Sequence, residues 1–261
     1  MCADWFFASH EPGLPIYNPL AGEHFNQGAV GDADWEPGQS LVRECIQNSL
    51  DAHVEGEQVT VFFCVIRPGS LTTQMASSWF SSLWPHLRSS DCKISNLPPA
   101  PYADQFIVVE DFGTRGLEGD VSQGGLADAG KSNDFFSFFR AEGLSGKTAN
   151  SGGSWGVGKS VYNRCSWNNT FLAVSARRLE GNTVLIGQSL LWHHKVGSNE
   201  YQAVGQFGVP DQVHERLIIP ADGQDLLGKA VRDFGIRRRL AVNGAQVDEN
   251  FATSCYVSTC A

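Results

Sequence analysis

The chain has 261 residues, 42% of them hydrophobic and 18% charged, with a formal net charge of −9 and a pI near 5.2. That length buries a full core and fits one large domain or two small ones. The acidic balance counts against a broad nucleic-acid surface or an anionic-membrane partner, and no apolar run reaches the roughly 18 residues needed to span a bilayer.

Residues 1–38, rich in Gly, Pro, Asn and aromatics, read as an irregular N-terminal arm anchored by Trp5, Phe6, Phe7 and Trp35, with a single domain following over 39–261. A helix is predicted from Gln39 to His53, stopped by Gly56, and then a strand from Gln58 to Arg67 that ends at Pro68-Gly69. An amphipathic helix is expected over Met75–Leu87. Phe106-Ile107-Val108-Val109 has the length of a buried strand and delivers Glu110 and Asp111 into a glycine-containing turn.

From Gly113 to Gly158 small and polar residues dominate, interrupted by Phe135-Phe136-Ser137-Phe138-Phe139. A segment of this length reads as a lid, about 113–160, rather than a passive connector. Strands follow at Thr170–Ala176, Thr183–Trp192 and Arg216–Ile219, and a helix over Gln224–Arg238; the tail from Asn243 carries little signal. This order suggests an α+β sandwich with helices on one face of a mixed sheet. The N-terminus lacks the basic and apolar regions of a signal peptide, and the seven cysteines include no C-x-x-C pair. A reduced, cytoplasmic protein is expected. Cys255 with Cys260, and His193 with His194, are ligand types without an evident remainder of a four-coordinate metal site.

Three elements carry chemistry. In the first, Glu44, Asn48 and Asp51 fall at i, i+4 and i+7 on one helix stripe, followed by Ala52. A carboxylate there can orient or deprotonate water, and an Asn oxygen one turn on can ligate Mg²⁺; the same stripe also fits a solvated polar face. The second is Asp111-Phe112-Gly113-Thr114-Arg115-Gly116-Leu117. The third is Gly153-Ser154-Trp155-Gly156-Val157-Gly158-Lys159-Ser160.

In this order the set resembles the GHKL ATPases, which include gyrase B subunits, ninety-kilodalton heat-shock chaperones, histidine kinases and MutL-type repair proteins. The resemblance covers about residues 39–190, with the first element matching the family's N-box and the third its glycine lid box. It implies a Bergerat-type two-layer sandwich, with helices on one face of a mixed, mainly antiparallel sheet, that binds ATP and Mg²⁺. Glu44 would position the attacking water and Asn48 would hold the metal. Asp51 and Ala52 would support the base end of the pocket. Asp111 would accept from the adenine amine, while Gly113 and Gly116 would let the ring approach. Gly153, Gly156 and Gly158 would present amides to the phosphates, beside Lys159 and Ser160.

The family's second box is usually Asp-x-Gly-x-Gly, whereas Thr114 and Arg115 both separate the glycines here; Arg115 is expected to point to solvent. The implied activity is slow hydrolysis to ADP and phosphate, coupled to lid closure and partner association. Family members complete the site with a Lys or Arg from a following domain, and residues 191–261 are short for one. A second copy or a separate partner protein would then supply that cation. A non-hydrolysing, ATP-gated interaction module is the alternative. Gly153 to Ser160 also spells G-x-x-x-x-G-K-S, the phosphate loop of P-loop NTPases, but the stretch before it does not read as the buried strand that motif needs.

Overall fold

The computed structural model describes residues 3–21, 37–67, 73–94, 97, 105–126, 133–141, 158–212, 217–221, 224–234, 238–239, 250–251 and 254–260. Nine strands form one sheet. Its path runs β1 (Asp4–Ser9), β7 (Asn199–Pro210), β5 (Asn182–Leu190), β4 (Thr170–Arg177), β11 (Ser254–Cys260), β3 (Gln105–Phe112), β2 (Thr60–Ile66), with β6 (His194–Val196) and β8 (Ile218–Ile219) added to β7. A separate ribbon pairs β9 (Arg238–Arg239) with β10 (Asn250–Phe251). Every pairing among the described strands is antiparallel, so the mixed sheet expected from sequence is antiparallel instead.

Residues 1–38 were expected to be irregular, yet Asp4–Ser9 forms the strand at one end of this path and buries Trp5 and Phe7. Trp35 lies outside the described residues. The expected helix over Met75–Leu87 divides into α2 (Thr73–Phe80) and α3 (Trp84–Leu87). Pro85, in the first turn of α3, explains the break, because proline lacks the N–H that an unbroken helix would need there. The first long helix, α1 (Pro37–Asp51), matches its expected span closely. Of the helix expected over Gln224–Arg238, α6 covers Gln224–Phe234. Among the described residues no helix is long and apolar enough to cross a membrane.

Register shows where the core sits. Residues paired across antiparallel strands share a face, and one row runs Cys64, Val108, Val257, Leu172, Gly187, Phe207, Trp5. Val108, Leu172, Phe207 and Trp5 from this row join Trp79, Leu83, Leu87, Leu227 and Phe234 of the α2, α3 and α6 region in one apolar cluster. One residue along each strand, the row Phe63, Val109, Tyr256, Ala173, Ile186 belongs to the other face. Val109, Tyr256, Ala173 and Ile186 pack in a second cluster with Leu41 and Cys45 of α1 and with Phe135 and Phe139 of α4 (Asp134–Phe139). Val161 and Tyr162 of α5 (Val161–Arg164) complete it.

Helices therefore cover both faces of the sheet. The class is α+β, as expected, but the layering is three deep rather than two.

Candidate functional site

The second cluster positions the sequence-selected residues. Leu41 and Cys45, one turn apart, seat α1 on the sheet, and this turns Glu44 and Asn48 along the flank and Ser49 inward. Burial pushes the Cys45 thiol up to about 12, so this cysteine is packing material rather than a nucleophile. Asp111 shares the face of Val109 because strand side chains alternate, and it meets α1 from below. Its Oδ2 lies 3.2 Å from Ser49 Oγ, and its Oδ1 accepts from Thr114 Oγ1 at 2.6 Å. Asp111 is 7% exposed, so these hydroxyls offset the cost of burying a carboxylate.

The turn after Asp111 is stitched to the end of α1. Val54 N donates to the Gly113 carbonyl at 3.0 Å, Arg115 N donates to the Ala52 carbonyl at 2.9 Å, and His53 bridges to Thr114. Gly113 and Gly116 adopt φ of +78° and +80°, and a Cβ on either would stand 2.3 Å from a backbone oxygen, of Gln58 and Ala176 respectively. These contacts account for both glycines without a ligand.

Arg115 does not simply face solvent. Its Nε donates to Asp134 Oδ2 at 2.9 Å and its Nη1 to the Asp51 carbonyl at 3.2 Å, which ties α1 to the start of α4. The Asp51 carboxylate is exposed and accepts from Gln47 Nε2 at 2.9 Å.

The third element arrives over the same helix. Gly158-Lys159-Ser160 form a 3₁₀ turn that runs directly into α5 and packs on α1. A Cβ on Gly158 would lie 2.6 Å from Glu44 Oε2 and 3.5 Å from Asn48 Oδ1. The glycine thus allows backbone to meet a carboxylate and an amide oxygen at once.

Asn48 Nδ2 is buried with no hydrogen bond closed to it, and its polar neighbour is the fully buried Tyr162, whose hydroxyl is held well above its ordinary value chiefly by burial. Lys159 does not stand free. Its ammonium donates to the carbonyls of Ser137, at 2.6 Å, and Ala141. Ser160 occupies the N-cap position of α5. Gly153 and Gly156 lie outside the described residues.

Three segments more than forty residues apart in the chain thus meet: Glu44, Asn48 and Ser49 on α1, Asp111 on β3, and Gly158 before α5. Sequence reading missed Ser49, Thr114 and Asp134. The D-x-x-T spacing was the available signal for Thr114, since a hydroxyl three residues after a carboxylate can turn back to it. Comparisons of the chain with family models, with curated proteins and with solved structures return no match.

Proposed function

We propose that this chain binds ATP with Mg²⁺ in a Bergerat-type pocket between α1, the end of β3 and the Gly158 turn, and slowly hydrolyses it to ADP and phosphate. The observation that carries the reading is the convergence on α1 of Asp111 from one side and Gly158 from the other. A solvated polar stripe would have no need of a glycine fitted against Glu44 and Asn48.

The donor set fits the metal. Asn48 Oδ1 and Glu44 Oε2, which both approach the Gly158 position, are hard oxygen atoms of the kind Mg²⁺ takes. Asn48 would hold Mg²⁺, which when bound would supply neutralisation of phosphate charge. Glu44 accepts a proton from, or orients, the attacking water. Asp111, held by Ser49 and Thr114 at the end of β3, is the carboxylate that would accept from an adenine amine. Backbone N–H groups at the Gly158 turn would supply donors to the phosphates.

Lys159 is engaged with two carbonyls. That supports a lid hinge over a P-loop, and a phosphate-binding Lys or Arg supplied by a second copy or a separate cytoplasmic partner. Association with such a partner would accompany closure of the lid.

Calorimetry of ATP and ADP, with and without Mg²⁺, on wild type and Asp111→Asn tests the pocket. ATP binding that requires Mg²⁺ and weakens at least about tenfold in the variant is expected, since a hydrogen bond to a charged group contributes roughly 1.5–3 kcal/mol. No ATP binding by the folded chain would overturn the reading. Phosphate release by Glu44→Gln then separates the two versions of it. Loss of turnover at unchanged affinity identifies an ATPase that uses Glu44, equal non-zero turnover would remove Glu44 from that role, and ATP binding without turnover in wild type leaves the ATP-gated interaction module.

A further inference from the structure

Far from α1, the junction of β1 with the β6–β7 hairpin gathers a second set of ligating side chains. β7 stands four strand positions from β3, or about 19 Å at the usual spacing. We propose that His10, His193 and Glu200 form a site for one divalent transition-metal ion, with Zn²⁺ the best match. One ligand atom from each lies within 4.8 Å of the other two, the one such grouping of His, Cys, Asp and Glu among the described residues.

The frame is held by backbone. His10 N donates to the Glu200 carbonyl at 2.8 Å where β1 leaves the sheet, and His193 N donates to Asn18 Oδ1 at 2.6 Å. Glu200 is fixed in register opposite Lys195. The His10 and His193 rings meet edge to face at 4.6 Å, and His193 Nε2 lies 2.6 Å from Glu200 Oε1.

Two imidazoles and a carboxylate are a borderline N₂O set that suits Zn²⁺, and three protein ligands leave a fourth position open. That position has somewhere to lead. A cleft of about 460 Å³ adjoins two of the three, His193 and Glu200, and is lined also by Asp91, Lys93, Trp192 and Lys195.

Ligand atoms around a tetrahedral Zn²⁺ are about 3.3 Å apart, from bond lengths near 2.0–2.1 Å. The His193–Glu200 pair would therefore open by under about 1 Å as the ion replaces the proton between them. Lys195 Nζ lies 3.9 Å from Glu200 Oε2, and its side chain is 63% exposed and able to swing out. The adjacent His194, which sequence alone pairs with His193, is not a ligand: its Nδ1 faces the Trp192 carbonyl and its Nε2 faces His86.

The test uses the full chain, stripped with chelator and titrated with Zn²⁺ by calorimetry and with Co²⁺ by absorption, as wild type, His10→Ala and Glu200→Gln. The glutamine keeps a hydrogen-bond acceptor for His193, so at least one variant retains the local packing, and unfolding curves verify this. Expected are one Zn²⁺ per chain, affinity lower by at least about tenfold in each variant, and Co²⁺ ligand-field bands without a thiolate charge-transfer band. No uptake by wild type, uptake unchanged in both variants, or a thiolate band from the cysteines would each overturn the proposal.

Discussion

Lys159 donates to the carbonyls of Ser137 and Ala141 at the C-terminal end of α4, where helix carbonyls lack partners of their own. A lysine placed there acts as a positive C-cap and ties the Gly158 turn to the phenylalanine-rich helix beneath it. This matters because the same residue belongs to a G-x-x-x-x-G-K-S string, in which the lysine would instead reach phosphate. The two roles make opposite demands on one ammonium. Lys159→Ala is expected to lower stability by about 1–2 kcal/mol, from carbonyls left unsatisfied, while reducing ATP affinity only a few-fold. Chemical unfolding and calorimetry on the same variant check both. Unchanged stability with near-total loss of nucleotide binding would return the lysine to the phosphate.

Individual elements were legible where side-chain period and burial agree. α1 announced itself through Leu41 and Cys45 one turn apart, and β3 through an apolar run leading into Asp111. β7 did not, because Gly205 and Gly208 interrupt its apolar alternation. The structure gives those glycines another cause. The Phe7 ring of β1 lies flat over Gly205, where a Cβ would come within 2.2 Å of Phe7 Cζ, and the Trp5 indole lies over Gly187 in the same way, at 2.8 Å. No local pattern in β7 can report an aromatic ring delivered from nearly two hundred residues upstream. The N-terminal strand was missed for the complementary reason: Trp5 and Phe7 mark a buried strand only once the glycines that receive them are known. The candidate site divides likewise, with Glu44 and Asn48 legible on their helix and the partners of Asp111 and Arg115 visible only in three dimensions. Gly205→Ala should accordingly destabilise the protein by about 1–3 kcal/mol through overpacking, read as a lower urea midpoint. Adding Phe7→Ala should give a double variant that loses less than the sum of the single losses, because the clash goes with the ring.

At the scale of the whole molecule, β11 lies between β3 and β4, so among the described strands β3 and β2 join the rest of the sheet through residues 254–260. The two apolar clusters then brace that sheet from opposite faces, one against α1 and the candidate site, the other against α2, α3 and α6. The latter face reaches the sheet edge at a pair of histidines. His86 stacks on Phe7 at 4.1 Å and meets Tyr201 edge to face, with its Nδ1 2.8 Å from His194 Nε2. The Trp192 carbonyl, 2.7 Å from His194 Nδ1, can only accept. His194 therefore carries its hydrogen on Nδ1, and its Nε2 accepts from His86 Nδ1–H. Protonating His194 would place a second hydrogen in that contact. Burial, and then His194, lower the His86 pKa to about 4, and burial lowers that of His194 as well. Because the unfolded chain protonates His86 near pH 6.5 and the folded one resists that proton until about pH 4, this contribution to stability is fully present above pH 6.5 and is lost as pH falls through that window, with His194 acting in the same direction. After discounting for partial exposure, the loss between pH 7 and 4.5 is about 1–2 kcal/mol. Urea unfolding across that range should show it, and His86→Gln should flatten the profile. Parallel wild-type and variant curves would place the acid sensitivity in other groups and leave the histidine pair without a part in it.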